Sequence, residues 1–243
     1  MLSHPVLKDV YSPGTVQPTS GMPVGDVPSD IVLLLDNSGS MKTNDPQFLT
    51  SKAVTEFINQ LDYSTRLGIV IFDQKVTLAY PLTEVSEQTR GEMLNSLDKI
   101  NYRGLYTNSP DGLERAIYEL KLHAREDTER FIVFLTDGIV DTGDKQKDIT
   151  KVDWMRKELA ADAADNNIKI FGIAFTDGAD IQLIQSLAQQ TNAEYFRAFT
   201  PDKISGIFNL IQERITRVRE EARLAEIEAN KPPPPPVIIE APR

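Results

Sequence analysis

The chain contains no cysteine. That excludes disulfides, thiolate metal sites and thiol nucleophiles. Histidine is nearly absent too. His4 lies in a leader and His123 at the far end of a helical pattern, neither within a motif. Positive charge is in deficit, with 26 Lys+Arg against 36 Asp+Glu, a formal charge of −10 and no basic block. Nucleic-acid affinity rests on cations facing phosphates, so no nucleic-acid partner is expected. An acidic surface suits metal cations or basic protein patches. Long apolar runs are also missing. They reach about six residues, against the roughly 20 that a membrane helix needs, and no signal peptide is visible.

What is present is ordinary for a globular protein: 243 residues, 40% hydrophobic and 26% charged, enough for one large domain or two small ones. Residues 1–28 carry prolines and glycines without periodicity and read as an irregular leader. Apolar runs at 31–35, 67–72, 131–135 and 168–175 are expected to be strands buried on both faces. Val76, Leu78 and Tyr80 alternate, which predicts an antiparallel edge strand. Helices are expected from Asp45-Pro46 with Leu49, Ala53, Phe57 and Leu61, then over 86–98, from Ser109-Pro110, over 154–166, from Asp180, and from Thr200-Pro201. A short strand is expected at 194–197. This alternation predicts an α/β fold: a doubly wound, Rossmann-like, mostly parallel sheet with one antiparallel edge strand and helices on both faces. Asp36, Asp73, Asp137 and Asp177 each follow a predicted parallel strand, so they belong on one rim, where such sheets place their sites.

The stretch DIVLLLDNSGSMKTNDP (30–46) hands a buried strand directly to an acid and two hydroxyls. A serine hydrolase would need Gly-x-Ser-x-Gly and a histidine base, and both are missing. A phosphate loop would need Gly-x-x-x-x-Gly-Lys-Ser/Thr, also missing. An aspartyl-phosphate enzyme could use Asp36 with Asp137 as metal partner, but Ser38 stands where its second carboxylate would be needed as proton donor. A Mg²⁺ or Mn²⁺ site accounts for more, because hydroxyls and carboxylates gathered on one rim are the oxygen donors such ions take. Gly39 would let Ser38 and Ser40 face one point. Turning the chain and capping a helix is the alternative for the same residues. Further acids, Asp73, Asp141, Asp144 and Asp177, form either an acidic collar or merely solvated loops.

DNSGS at 36–40, TN at 107–108 and LTDG at 135–138 together resemble the von Willebrand factor A (vWA) domain and its metal-ion-dependent adhesion site (MIDAS). The family pattern, Asp-x-Ser-x-Ser, then Thr, then Asp, falls on Asp36, Ser38, Ser40, Thr107 and Asp137. The resemblance covers about residues 29–215. It departs at RGLYTN, where Leu105 and Tyr106 separate Gly104 from Thr107. LDNSGSMKTNDPQ and FLTDGIVDTGD resemble bacterial members more than animal adhesion receptors. The resemblance implies a binding module and not an enzyme. In it, Ser38, Ser40 and Thr107 would bind Mg²⁺ (or Mn²⁺ or Ca²⁺), Asp36 and Asp137 would hold its waters or the ion itself, and a partner protein's Asp or Glu would complete the shell. The alternatives are a Mg²⁺-dependent phosphotransfer or hydrolytic enzyme, and a vWA partner of an ATPase machine.

The chain therefore divides into a leader (1–28), the vWA domain (29–215), a helical extension (216–230) and a proline-rich tail (231–243). Ile204, Phe208, Ile211, Ile215, Val218, Ala222, Ala225 and Ala229 follow heptad spacing. That is consistent with packing on the sheet followed by a solvated projection, or with coiled-coil self-association. The five prolines of KPPPPPVIIEAPR form a stiff spacer, read as a membrane tether or an aromatic-groove ligand. These ends favour a bacterial cell-envelope domain, anchored through one terminus, over a cytoplasmic one.

Overall fold

The apolar runs form the middle of one sheet. In the computed structural model, which describes residues 27–231, six strands follow the order β3-β2-β1-β4-β5-β6. They are β1 (Ser29–Asp36), β2 (Thr65–Phe72), β3 (Val76–Glu84), β4 (Glu129–Thr136), β5 (Ile168–Phe175) and β6 (Tyr195–Ala198). All neighbours are parallel except β3, which runs antiparallel to β2 at the edge. The helices are α1 (Gly39–Asn44), α2 (Leu49–Gln60), α3 (Glu87–Ser96), α4 (Ser109–His123), α5 (Lys145–Trp154), α6 (Ala160–Asp165), α7 (Ile181–Gln190) and α8 (Ile204–Ala229). This is the Rossmann-like α/β arrangement expected from the alternation of strands and helices. The leader and the proline-rich tail fall outside the described residues, apart from Val27, Pro28 and Lys231.

Strand β1 shows why its run is apolar throughout. Ile31, Leu33 and Leu35 face one core with Phe57, Ile58, Phe208 and Ile211. Val32 and Leu34 face the other with Leu113, Ile117, Leu159 and Leu187. With both faces covered, no position between Asp30 and Asp36 can be polar. Burying a Leu or Ile side chain contributes about 1.5–3 kcal/mol, so these central strands carry much of the stability.

Several local expectations shift. Asp45 does not open a helix from the adjacent position, because residues 39–44 already form α1. Its carboxylate instead reaches ahead, accepting from the Leu49 and Thr50 amides at 2.7 and 2.9 Å. The helix expected over 154–166 begins at Lys145, where the Asp144 carboxylate accepts from two first-turn amides. It continues through a π turn, Met155–Leu159, into α6. Its first section buries no residue, so it carries no apolar pattern to read. Helix α4 is preceded by Asn108, one residue before the serine expected to cap it.

Helix α8 is continuous across the boundary drawn at 215/216. Its buried stripe of Ile204, Ile207, Phe208, Ile211 and Ile215 packs on the sheet and α2, and ends at Arg219. Beyond Arg223 every described residue is exposed. Arg219 is itself buried. It donates to the Val27 carbonyl at 2.6 Å, to Asp62 Oδ2 at 2.7 Å and to Ser64 Oγ at 2.6 Å. One guanidinium thus ties α8 to the entry of β1 and to the turn before β2. Arg219→Ala is expected to cost about 1–3 kcal/mol in chemical denaturation. The figure is discounted from that of a fully buried pair because the Asp62 side chain is about half exposed.

Candidate metal centre

The chain leaves β1 to one side and β4 to the other. The β1–β2 crossover carries α2 on the first core's face, and the β4–β5 crossover carries the α5–α6 run on the second. The carboxyl ends of β1 and β4 therefore flank the switch point, where a parallel sheet opens a crevice. Asp36 ends β1 and Asp137 directly follows β4. Both are buried.

Asp36 Oδ1 accepts from the Ser38 amide at 2.8 Å, and Oδ2 from the Thr136 hydroxyl at 2.6 Å. Asp137 Oδ1 accepts from Ser40 Oγ at 2.7 Å, and Oδ2 from Asn44 Nδ2 at 2.7 Å. Ser38 Oγ and Ser40 Oγ lie 3.0 Å apart. Four of the five expected residues thus form one hydrogen-bonded group. Thr107 is held beside this group by backbone bonds to Asp141: its N–H donates to the Asp141 carbonyl at 2.8 Å and its carbonyl accepts from the Asp141 N–H at 3.0 Å. Its hydroxyl lies 3.7 Å from where a β-carbon on Gly138 would stand.

Sequence reading missed three participants. Asn44 lies four residues after Ser40, one helical turn along α1, and that spacing could have found it. Thr136 precedes Asp137 directly. Asn37, between the acid and the first serine, braces the rim. Its Oδ1 accepts from the Asn101 and Tyr102 amides at 2.7 and 2.8 Å, and its Nδ2 donates to Asp73 Oδ2 at 3.1 Å. Gly39 serves close approach rather than a special turn, since a β-carbon there would stand 2.9 Å from the Gly104 carbonyl. A β-carbon on Gly104 would stand 2.2 Å from that of Asp73. Tyr102, at φ 53°, stacks on Phe48, also at φ 53°, with centroids 4.6 Å apart, and donates to Asp45 Oδ2 at 2.8 Å.

The four further acids each have local work. Asp73 accepts from the Lys75 amide, Asp141 from that of Gly143 and Asp144 from those of Gln146 and Lys147, while Asp177 pairs with Arg197. They hold turns and a helix start as well as lying at the rim.

Burial, and then the charge of Asp137, pushes the Asp36 carboxyl up to about 7, although the bonds from Ser38 and Thr136 oppose the rise. Burial likewise raises Asp137, against the bonds from Asn44 and Ser40. These are two acids with no cationic partner in their hydrogen-bond set. Among the described residues no three His, Cys, Asp or Glu side chains converge. The donors are two carboxylates and hydroxyls, a hard-oxygen set suited to Mg²⁺, Mn²⁺ or Ca²⁺. Adjacent oxygens of an octahedral Mg²⁺ shell lie about 2.9 Å apart, given bonds of about 2.0–2.1 Å. The serine oxygens already stand at that separation.

The family model for the von Willebrand factor type A domain matches residues 30–212. The chain belongs to this family. Solved structures share its fold. A von Willebrand factor type A protein from Catenulispora acidiphila is 13% identical, with a TM-score of 0.66, over 79% of this chain and 43% of its own. BatB from Bacteroides thetaiotaomicron is 15% identical, with a TM-score of 0.60, over 78% of this chain and 99% of its own. Proximal thread matrix protein 1 from the mussel byssus, in a structure with a zinc-occupied MIDAS motif, is 20% identical, with a TM-score of 0.59, over 80% of this chain and 46% of its own. This chain thus spans less than half the length of the first and last of these. No curated protein matches in sequence. vWA domains are mostly non-enzymatic interaction modules, and the similar structures include a minor pilin and a pilus adhesin.

The Asp36 shift gives the vWA domain a pH signature. A carboxyl raised from 3.8 to about 7 in the folded state binds its proton more tightly there than in the unfolded chain. Its contribution to stability is full below about 4 and is lost as pH rises through about 7. In chelator, denaturation midpoints should therefore fall between pH 6 and pH 8, and Asp36→Asn should flatten that slope.

Proposed function

We propose that the domain is a divalent-metal-dependent protein-binding module of MIDAS type, with Mg²⁺ (or Mn²⁺ or Ca²⁺) held by Ser38, Ser40, Thr107, Asp36 and Asp137. The observation that carries this reading is the hydrogen-bonded group of Asp36, Ser38, Ser40 and Asp137 at the switch point, with both acids buried and no cationic side chain among their hydrogen-bond partners. When bound, the metal supplies a localised positive charge that an incoming carboxylate can join. Ser40 donates its proton to Asp137 and accepts from Ser38, which leaves one lone pair for a cation. Asp36 has both oxygens engaged by Ser38 and Thr136, so it is placed to bind through water. Asn44 fixes the second oxygen of Asp137. With neutral hydroxyls foremost, the ion keeps most of its charge, which favours an Asp or Glu from a partner protein.

The second reading is a Mg²⁺-dependent phosphotransfer or hydrolytic enzyme. It is disfavoured because Ser38 occupies the place of the proton-donating carboxylate, and the only described histidine, His123, bonds within α4 at the Glu119 carbonyl. The similarity to pilus and adhesin proteins supports a cell-envelope location, with the proline-rich tail as a tether. Among the described residues no helix is long and apolar enough to cross a membrane.

Metal at about 100 times its dissociation constant should stabilise the fold by about 2.7 kcal/mol, a rise in Tm of roughly 5–10 °C for a domain of this size. Thr107→Ala and Asp36→Ala should abolish the rise. The metal should bind more tightly at pH 8 than at pH 6, because it competes with the proton on Asp36. Protein captured in Mg²⁺ and released by EDTA would identify the partner. Mg²⁺-dependent phosphoester turnover at enzymatic rates would sink the binding reading.

A further inference from the structure

The rim carries apolar side chains that the metal site does not use. Leu105 is 77% exposed and Ile139 is 61% exposed. Leu105 lies two residues before Thr107, and Ile139 two residues after Asp137. Thr107 sits against Gly138 and is bridged to Asp141, so Leu105 and Ile139 belong to two joined loops that border the same site. Neither loop is slack. The Leu105 amide donates to Gln74 Oε1 at 2.6 Å, and the Thr107–Asp141 pair zips the loops together. Aliphatic side chains held open beside a carboxylate-seeking centre fit an acid embedded in an apolar segment.

The chain contains such a segment. In VIIEAPR (237–243), Glu240 follows Val237, Ile238 and Ile239 and precedes Ala241. We propose that this segment of a second copy of the chain docks on the rim. Glu240 would bring the carboxylate, and Ile238 and Ile239 would pack on Leu105 and Ile139. The proposal rests on the metal-dependent reading above and names its partner.

Reach decides between the same copy and another. Helix α8 starts at the level of the rim, just after β6, and runs to the opposite pole, where Arg219 meets Val27 and Asp62. Its 26 residues span roughly 39 Å at about 1.5 Å per residue. The eleven residues from Asn230 to Glu240 reach at most about 36–40 Å fully extended. Five of them are prolines, which favour a rise of about 3.1 Å. Returning to the domain's own rim would take the whole reach and a reversal of direction, with nothing left for the sideways path to β1 and β4. A neighbour's rim needs neither. Such a contact is heterologous, tail to rim, so it joins copies into open chains.

Sedimentation velocity of the full chain over a concentration series, in Mn²⁺ and in EDTA, tests this, with Mn²⁺ binding followed separately by electron paramagnetic resonance. The expected result is Mn²⁺-dependent association that EDTA reverses and the free peptide PPPPPVIIEAPR inhibits. Glu240→Gln changes no residue of the packed domain and should weaken association by about thirtyfold or more. Leu105→Ser with Ile139→Ser should weaken it about tenfold while Mn²⁺ still binds. If Mn²⁺ binds but the chain stays monomeric, or the Glu240→Gln variant associates equally well, the inference is overturned and the metal-dependent module stands with a different partner. Association that resists EDTA also overturns it, in favour of coiled-coil pairing through the exposed end of α8. If no Mn²⁺ binds, both readings fall.

Discussion

Two acids of like charge sit out of water at the carboxyl ends of adjacent strands, and the rest of the rim is organised around that cost. Asp36 and Asp137 could have been neutralised by an arginine, as Asp30 is at the other end of β1 by Arg125. Instead their partners are Ser38, Ser40, Asn44 and Thr136. Neutral donors hold a carboxylate in place without cancelling its charge. The two ends of β1 thus show one residue type in opposite roles. A guanidinium closes the lower pole permanently, whereas the upper one has no cationic side chain and burial holds a proton on Asp36 that an arriving cation can displace.

Holding that charge in position takes three loops, each braced by residues with no ligand role. Asn37 gathers the amides of residues 101 and 102, and two glycines permit backbone to approach backbone. The stacked pair of Phe48 and Tyr102, both in left-handed conformation, joins the α1–α2 connection to the loop that ends in Thr107. Strain of this kind persists only where surrounding contacts over-determine it. Here the Tyr102 hydroxyl on Asp45, and Asp45 in turn on the start of α2, supply those contacts.

Much of this was legible beforehand. The apolar runs at 31–35 and 131–135 announced strands covered on both faces, and acids following strands announced a shared rim. The resemblance of DNSGS, TN and LTDG to the vWA pattern pointed to Asp36, Ser38, Ser40, Thr107 and Asp137, and the fold links all of these but Thr107 by hydrogen bonds. The features that escaped notice did so for physical reasons. Helix α1, at six residues, is too short to show a period, so the four-residue step from Ser40 was the one signal for Asn44. Helix α5 fully buries no residue and sets only Val152 and Trp154 partly against the core, so its clearest early signal was the cap at Asp144. Arg219 interrupts an apolar stripe and looks like a surface residue until its three acceptors, distant in sequence, are brought together. Asn37 looked like a spacer, because its partners lie 36 to 65 residues away.

The paired backbone bonds between Thr107 and Asp141 have a thermodynamic consequence. They make the loop bearing the hydroxyl and the loop following Asp137 a single short ladder, held by the chain's own backbone. An ion arriving there need not freeze two independent segments, so little conformational entropy is lost on binding. Affinity in such a site then depends on desolvation and proton release more than on ordering. Two related domains with identical oxygen donors could therefore differ widely in affinity if one of them lacked this ladder.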